Sequence, residues 1–385
     1  MFKHPVLALG FRVFFSLSGL SALVLIALWL AVYSGSISLA HYYPGNIWHA
    51  HEMLFGYTAA VIAGFLLTAV KNWTGESTIT DKPLAGLALL WIAGRLAPFS
   101  ANYITHEFIA FIDLLFLPCL AYALSLPILK AKYTRGLVFI GLIMMMAVAN
   151  ILVHVEMLNY SAQTAWLGLQ LMIALVLVMI LIIAGRVFPF FTERGAGVAL
   201  IKKPLLDSLS IASAVIVFIL MMFNVTGGLL GIAAASASII NSLRIKNWLV
   251  KEISSIPLLW VLFSGYAWII VGFALTVLSA FSLIPATLPL HAFTMGGIGV
   301  VTIAMMARVS LGHTGRNLKA SKTMVIAFFT INLAVFIRVF LPIFIPAGYA
   351  TFIWLAGLLW VLAFLLFSIV YLPILTTARA DGKTG

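Results

Sequence analysis

Ligand-type side chains cluster where an apolar chain has little use for them. The stretch Trp48 to Gly75, WHAHEMLFGYTAAVIAGFLLTAVKNWTG, sets His49, His51, Glu52 and Met53 at the head of a segment apolar enough to cross a bilayer. His106 and Glu107, His154 with Glu156 and Met157 in AVANILVHVEML, and His291 with Met295 in LPLHAFTMGGIGVV sit at the ends of other apolar stretches. Ionisable groups in or beside hydrocarbon cost free energy and usually face a bundle interior or a ligand, so these mark a candidate site. Neutral imidazole is the commonest protein metal ligand, and a thioether suits soft ions such as Cu(I) and haem iron. The chemistry this pattern points to is metal ligation. Methionine also fills gaps between helices without any metal, and spacing alone does not separate the two uses of Met53, Met157 and Met295.

The element that must position the first group is a helix over 50–70, since about 20 residues at ~1.5 Å each cover the hydrocarbon core. At ~100° per residue His49, Glu52, Met53, Gly56, Ala60 and Gly64 share one stripe. His51 heads a bulkier one through Phe55, Thr58, Ile62 and Phe65. The two histidines should therefore look opposite ways. The run Gly56, Ala60, Gly64 is a small-residue face open to a neighbouring helix or to a flat cofactor. His49-Ala50-His51-Glu52-Met53 also echoes His291-Ala292-Phe293-Thr294-Met295, each followed by glycines and closing on Thr74-Gly75 or Thr314-Gly315. This reads as an internal repeat that puts His49 and His291 at matching depth, as clamping a macrocycle from both faces requires. Chance likeness between two apolar helices would look the same.

Composition sets the frame for these residues. With 64% hydrophobic and 8% charged residues and a mean hydropathy of +1.17, the 385-residue chain is not a water-soluble globule. It reads as an all-α, polytopic integral membrane protein, a single transmembrane helical domain over 1–385. Apolar spans fall at roughly 13–34, 50–70, 84–100, 104–129, 135–157, 163–188, 205–224, 227–243, 257–281, 288–311, 323–345 and 348–375, about twelve helices. The first span is too long for the apolar core of a signal peptide, so it is expected to stay in spite of the faint cleavage-like Ser38-Leu39-Ala40. The lone Cys119 excludes an intrachain disulfide.

Net charge of +12 could suggest nucleic acid, but the placement of the charges excludes it. Twenty of the 22 basic residues, from Lys3 and Arg12 to Arg379 and Lys383, fall on one side if the helices alternate. The positive-inside rule makes that side, and both termini, cytoplasmic. His41, His49, His51, His106, His154 and His291 then lie at the outer face, and His4 and His313 at the inner one. His313 is a membrane thickness from His291 and belongs, if to anything, to an inner polar cluster with Arg308, Arg316, Arg186, Phe190, Thr192, Glu193 and Arg194.

Only Arg95 and Arg338 lie away from those loops, and a guanidinium in the outer half of the membrane needs an anion. Carboxylates of a bound haem, the acidic side chains Asp113 and Glu156, or a reach to the interface would each serve. There is no Walker loop, dinucleotide fingerprint, CxxCH or paired nucleophile and base. Any haem is therefore non-covalent, of b type.

The segments WHAHEMLFGYTAAVIAGFLLTAV and NWTG, LWIAGRLA, GRVFPFFTERG and HAFTMGGIGVVTIAMMARVSLGHTGR closely resemble the NnrS family along nearly the whole chain. The resemblance implies a bacterial inner-membrane protein that contains haem and copper and acts in the response to nitric oxide and nitrosative stress, in the setting of denitrification. It implies no particular reaction and names no electron donor. Set against the residues, it makes nitric oxide the expected ligand. His49 and His291, with Met53 and Met295 beside them and Arg95 and Arg338 for its carboxylates, are the expected haem ligands and contacts. His51, His154 and His106 are expected to hold copper.

Two other readings compete. Twelve helices with inner termini also suit a secondary transporter, but its ionisable groups should line a path through the midplane instead of gathering at one depth. A haem-copper oxidoreductase acting on nitric oxide shares histidines on its second and tenth helices, yet this chain lacks a histidine pair on the sixth and seventh.

Overall fold

The computed structural model describes residues 4–37 and 42–382, so Lys3, Ser38-Leu39-Ala40, His41 and Lys383 lie outside the described residues. Among the described residues all regular structure is helical. The expected twelve spans are present: α1 Gly10–Tyr33, α2 Gly45–Thr74, α3 Asp81–Ser100, α4 His106–Lys130, α5 Thr134–Met157, α6 Thr164–Ala196, α7 Pro204–Met222, α8 Gly228–Lys246, α9 Pro257–Ala280, α10 Thr287–His313, α11 Lys322–Phe344 and α12 Pro346–Thr376. Their ends follow local chemistry. Thr105 Oγ1 accepts from Phe108 N (3.3 Å) to start α4, and Ser321 Oγ accepts from Met324 N (3.2 Å) to start α11. Gly75, at φ +75°, closes α2 in the left-handed conformation that a residue without Cβ adopts freely. α6 continues past the expected end at 188, through Pro189, Glu193 and Arg194, to Ala196. Hydropathy falls where polar and charged residues gather, but backbone hydrogen bonding need not end there.

The described chain packs as two compact units, with cuts inside α6, α10 and α12 and in the connection between α10 and α11. The first comprises residues up to Met172, Met306–Leu318 and the chain from Phe364; the second comprises Ile173–Met305 and Lys319–Ala363. In the first unit α2 is the interior helix, 89% buried over its most apolar window. α1 lies along it so closely that a Cβ on Gly64 would sit 2.8 Å from Phe15, and one on Gly10 would sit 2.5 Å from Leu67. The small-residue face of α2 is thus covered by protein, Phe14 and Phe15 at Gly64 and the Arg95 side chain at Gly56.

Among the described residues two helices change to π geometry, and both do so directly after a histidine. α2 changes to π-helix at Glu52–Thr58, after His51, and α10 does so at Ala292–Val300, after His291. A π segment carries an extra residue per turn and is found mostly at functional sites. It also breaks the 100° stripes drawn on a continuous α-helix, so Glu52 and His51 turn toward the same neighbours.

The internal repeat acquires a different register from the one expected. Aligned on the π segments, His291 matches His51 and not His49. Gly56 and Gly296 then each stand five residues on, and Thr74-Gly75 and Thr314-Gly315 coincide. Both threonines bond back to the carbonyl four residues earlier, Thr74 to Val70 at 2.7 Å and Thr314 to Ser310 at 2.6 Å, and both glycines have positive φ.

Candidate metal centre

Four helices of the first unit bring one end each to a single buried polar cluster: the start of α2, the end of α3, the start of α4 and the end of α5. They contribute His51 and Glu52, Arg95, Asp113, and Asn150 and His154, all buried. Asn150 and His154 are i and i+4 on α5 and share a face. The centre is Asp113 Oδ2, which receives Asn150 Nδ2 at 2.7 Å and faces His154 Nε2 at 3.0 Å and His51 Nε2 at 3.2 Å. Asp113 Oδ1 accepts from Arg95 Nη2, and Arg95 Nη1 donates to Glu52 Oε1 at 2.7 Å.

Each histidine is oriented through its other nitrogen. His51 Nδ1 meets Glu52 Oε1 at 3.2 Å, and His154 Nδ1 meets the Tyr42 hydroxyl at 2.8 Å. Tyr43 lies over His51 with ring centroids 4.6 Å apart, its hydroxyl 3.2 Å from His51 Nε2 and 3.4 Å from His154 Nε2. Burial raises both phenols above the ordinary tyrosine range, with Glu107 adding to the effect at Tyr42, so each remains a neutral O–H.

Charge counting shows what the cluster lacks. Glu52 and Asp113 supply two carboxylates and Arg95 one cation, so with neutral imidazoles the formal balance is −1. The second carboxylate oxygen of Glu52, Oε2, is buried with no hydrogen-bond partner. At His51 the deficit becomes atomic. Nδ1 faces a carboxylate, while Nε2 faces Asp113 Oδ2 and the amide oxygen of Asn150 at 3.0 Å. The bond from Asn150 Nδ2 to Asp113 fixes which way that amide points. A neutral imidazole carries one N–H; with that proton on Nδ1 toward Glu52, Nε2 is left to accept from the Tyr43 hydroxyl at 3.2 Å while two further oxygens crowd the same atom, an arrangement that a metal ion or a second proton at Nε2 would relieve.

The donors fit a metal. His51, Asp113 and His154 each offer one ligand atom, and the three lie within 4.8 Å of one another. Ligands about 2.0–2.1 Å from a tetrahedral ion stand ~3.3 Å apart, close to the two nitrogen–oxygen separations here. Two imidazoles and a carboxylate suit Cu(II), Zn²⁺ or Fe(II) better than Cu(I).

The other expected site residues lie elsewhere. His49 leaves the cluster and stacks on Trp29 of α1, ring centroids 4.5 Å apart at 15°. His106, exposed at the first turn of α4, meets Tyr42 edge to face with ring centroids 5.3 Å apart and is outside the ligand group. His291 belongs to the second unit, where its Nδ1 lies 2.7 Å from the Thr287 carbonyl. A carbonyl can only accept, so Nδ1 carries a proton, and Nε2 is the ring nitrogen that a metal would take. Met53 and Met295 fall within the two π segments. Arg95 bonds to Glu52 and Asp113, whereas Glu156 accepts from Ala165 N at 2.7 Å at the start of α6. Arg338, also in the second unit, bonds to the Tyr349 hydroxyl at 3.0 Å. His313 packs on Phe11 and lies in the first unit, and 186–194 lies in the second.

Sequence reasoning passed over Asn150, Tyr42 and Tyr43. The N-x-x-x-H spacing on an apolar helix was a usable signal for Asn150; nothing local marks the tyrosines.

A search of curated proteins finds no match. The family model described as NnrS protein matches residues 5–379, nearly the whole chain. This polytopic membrane protein, with its buried His/Asp cluster able to bind a metal, belongs to the NnrS family.

Proposed function

We propose that the chain is a bacterial inner-membrane metalloprotein of the nitric oxide response, with copper held by His51, Asp113 and His154 near the periplasmic face. The observation that carries this reading is the pair of oxygen acceptors facing opposite nitrogens of the buried His51 ring. Glu52 and Tyr42 hold the two imidazoles by their Nδ1 atoms and aim both Nε2 atoms at Asp113 Oδ2. Asn150 and Arg95 fix the carboxylate in turn. Such outer partners set the tautomer and orientation of a ligand and raise its basicity. Burial among four helices keeps bulk water out, while an uncharged, lipid-soluble molecule such as nitric oxide can arrive through the membrane. A copper centre there would supply a coordination position for nitric oxide.

Haem enters the proposal through the family resemblance, with His291 of the second unit, whose Nδ1 is held by the Thr287 carbonyl, as the candidate ligand. The functional outcome is binding or scavenging of nitric oxide.

The test is metal analysis of detergent-purified protein alongside its absorption spectrum. About one copper per chain, lost in both His51→Ala and His154→Ala, is expected. A wild-type protein that is metal-free, takes up no Cu(II), and shows His51 as an imidazolium by nitrogen NMR would overturn the reading, because a proton would then supply the missing charge.

A further inference from the structure

The two arginines that the charge pattern left in the outer half of the membrane end in opposite situations. Arg95 has two carboxylates. Arg338 has none: among the described residues no acidic side chain pairs with it, although it is only 7% exposed. Its Nη2 donates to the Tyr349 hydroxyl at 3.0 Å, and its guanidinium lies 5.0 Å from the centroid of the Tyr349 ring. Its Nη1 is buried with no hydrogen-bond partner.

A guanidinium does not lose its proton under any ordinary condition, so burial cannot neutralise it. A buried charge without a counter-charge is strongly unfavourable, and neither a neutral phenol nor a ring face supplies one. Snorkelling to water would relieve the cost, but the side chain does not take that course. The arginine stands one residue before the end of the regular helix at Val339. The segment that follows, at the same end of α11, exposes Phe344 and Ile345.

We infer that Arg338 and Tyr349 form a binding site for the anionic head of an amphiphile, a carboxylate or phosphate oxyanion whose apolar body extends toward the exposed Phe344 and Ile345 at the end of α11. The planar guanidinium offers Nη1 to one oxygen of the head, and the Tyr349 hydroxyl, which accepts from Nη2, has its own proton to donate to a second. The site lies within the second unit and is independent of the metal cluster.

Native mass spectrometry of the full chain, released from detergent and from nanodiscs containing phosphatidylglycerol, tests this. Wild type is expected to retain about one amphiphile that survives detergent exchange. Phosphorus in the retained species identifies a lipid head; a retained chromophore without phosphorus identifies a carboxylate-bearing cofactor. Arg338→Leu should weaken retention about 10- to 100-fold, the equivalent of a lost charge-assisted bond, and Arg338→Lys should lose less. Wild type that carries no adduct from either source overturns the inference, whatever the variants do. Equal retention by wild type and a monodisperse Arg338→Leu protein overturns it as well.

Discussion

Asn150 donates its amide N–H to Asp113 Oδ2 at 2.7 Å and thereby turns its own oxygen toward His51 Nε2, so one neutral side chain fixes a carboxylate and an imidazole at once. Replacing it with Leu keeps the volume and removes both bonds. Outer partners of metal ligands typically contribute 10- to 100-fold in affinity, and Asn150→Leu should weaken Cu(II) binding by about that factor. Isothermal titration of metal-stripped protein measures it. Unchanged affinity would mean that Asp113 and His51 are held without Asn150.

Among the described residues Arg95 is the arginine or lysine that pairs with Glu52 and Asp113. Arg95→Leu leaves two buried carboxylates facing each other across an apolar gap, a loss of about 3–5 kcal/mol for each broken buried pair as a general scale. The variant should unfold at lower denaturant or temperature in detergent, and Arg95→Lys should recover part of the loss, since it keeps the charge and gives up the fork. Wild-type stability in Arg95→Leu would contradict the counter-ion role.

Gly94 faces Asp113 from α3. A Cβ there would lie 2.9 Å from Asp113 Oδ1 and 3.4 Å from the Asp113 Cα, so the carboxylate must move while the backbone behind it cannot easily retreat. Gly94→Ala should destabilise the protein by about 1–3 kcal/mol, the usual scale of overpacking. It should also lower metal occupancy, read by elemental analysis.

His49 and His51 are two residues apart and diverge, one to Trp29 and the other to Asp113 and His154. With the haem and copper assignments proposed above, His51→Ala should remove copper and spare the haem spectrum. His291→Ala should abolish the haem spectrum. A His49→Ala protein with a normal Soret band, together with loss of that band in His51→Ala, would move haem to the cluster. That outcome would agree with the repeat register in which His51, and not His49, matches His291.

The legible part of this molecule is whatever one span can express. Span number follows from apolar length, and the ionisable residues of the cluster, though not Asn150, could be picked out singly because such groups are rare in hydrocarbon. The cluster itself is a tertiary fact: His51 and His154 are about a hundred positions apart, and no periodicity links them to Asp113. The π segments escape sequence reading because Glu52–Thr58 is as good an α-helical string as its flanks. The repeat register was misjudged for the same reason, since HAxxM matches better by letters than His51 with His291 does. Arg95 was recognised as needing an anion, but its choice between Asp113, Glu156 and a cofactor depends on how α3 and α4 meet.

The side of the membrane rests on charge alone. Nearly all basic residues fall in alternate connections, and the rule that sets orientation counts Lys and Arg in short loops near the helix ends. On that rule Pro44 and Ala162 lie in periplasmic connections, and Lys132 and Lys203 in cytoplasmic ones. Pro44 precedes α2, Tyr42 and Tyr43 cover the cluster, and Ala162 follows the helix that carries His154, so both probes report the side on which the metal cluster sits. Alkaline phosphatase, active only outside the cytoplasm, should be active when fused at Pro44 or Ala162 and silent at Lys132 or Lys203. A fluorescent protein that folds only in the cytoplasm should give the complementary pattern. If both reporters invert, the twelve-helix count stands and the cluster moves to the inner face, where an electron donor or ligand would have to reach it from the cytoplasm.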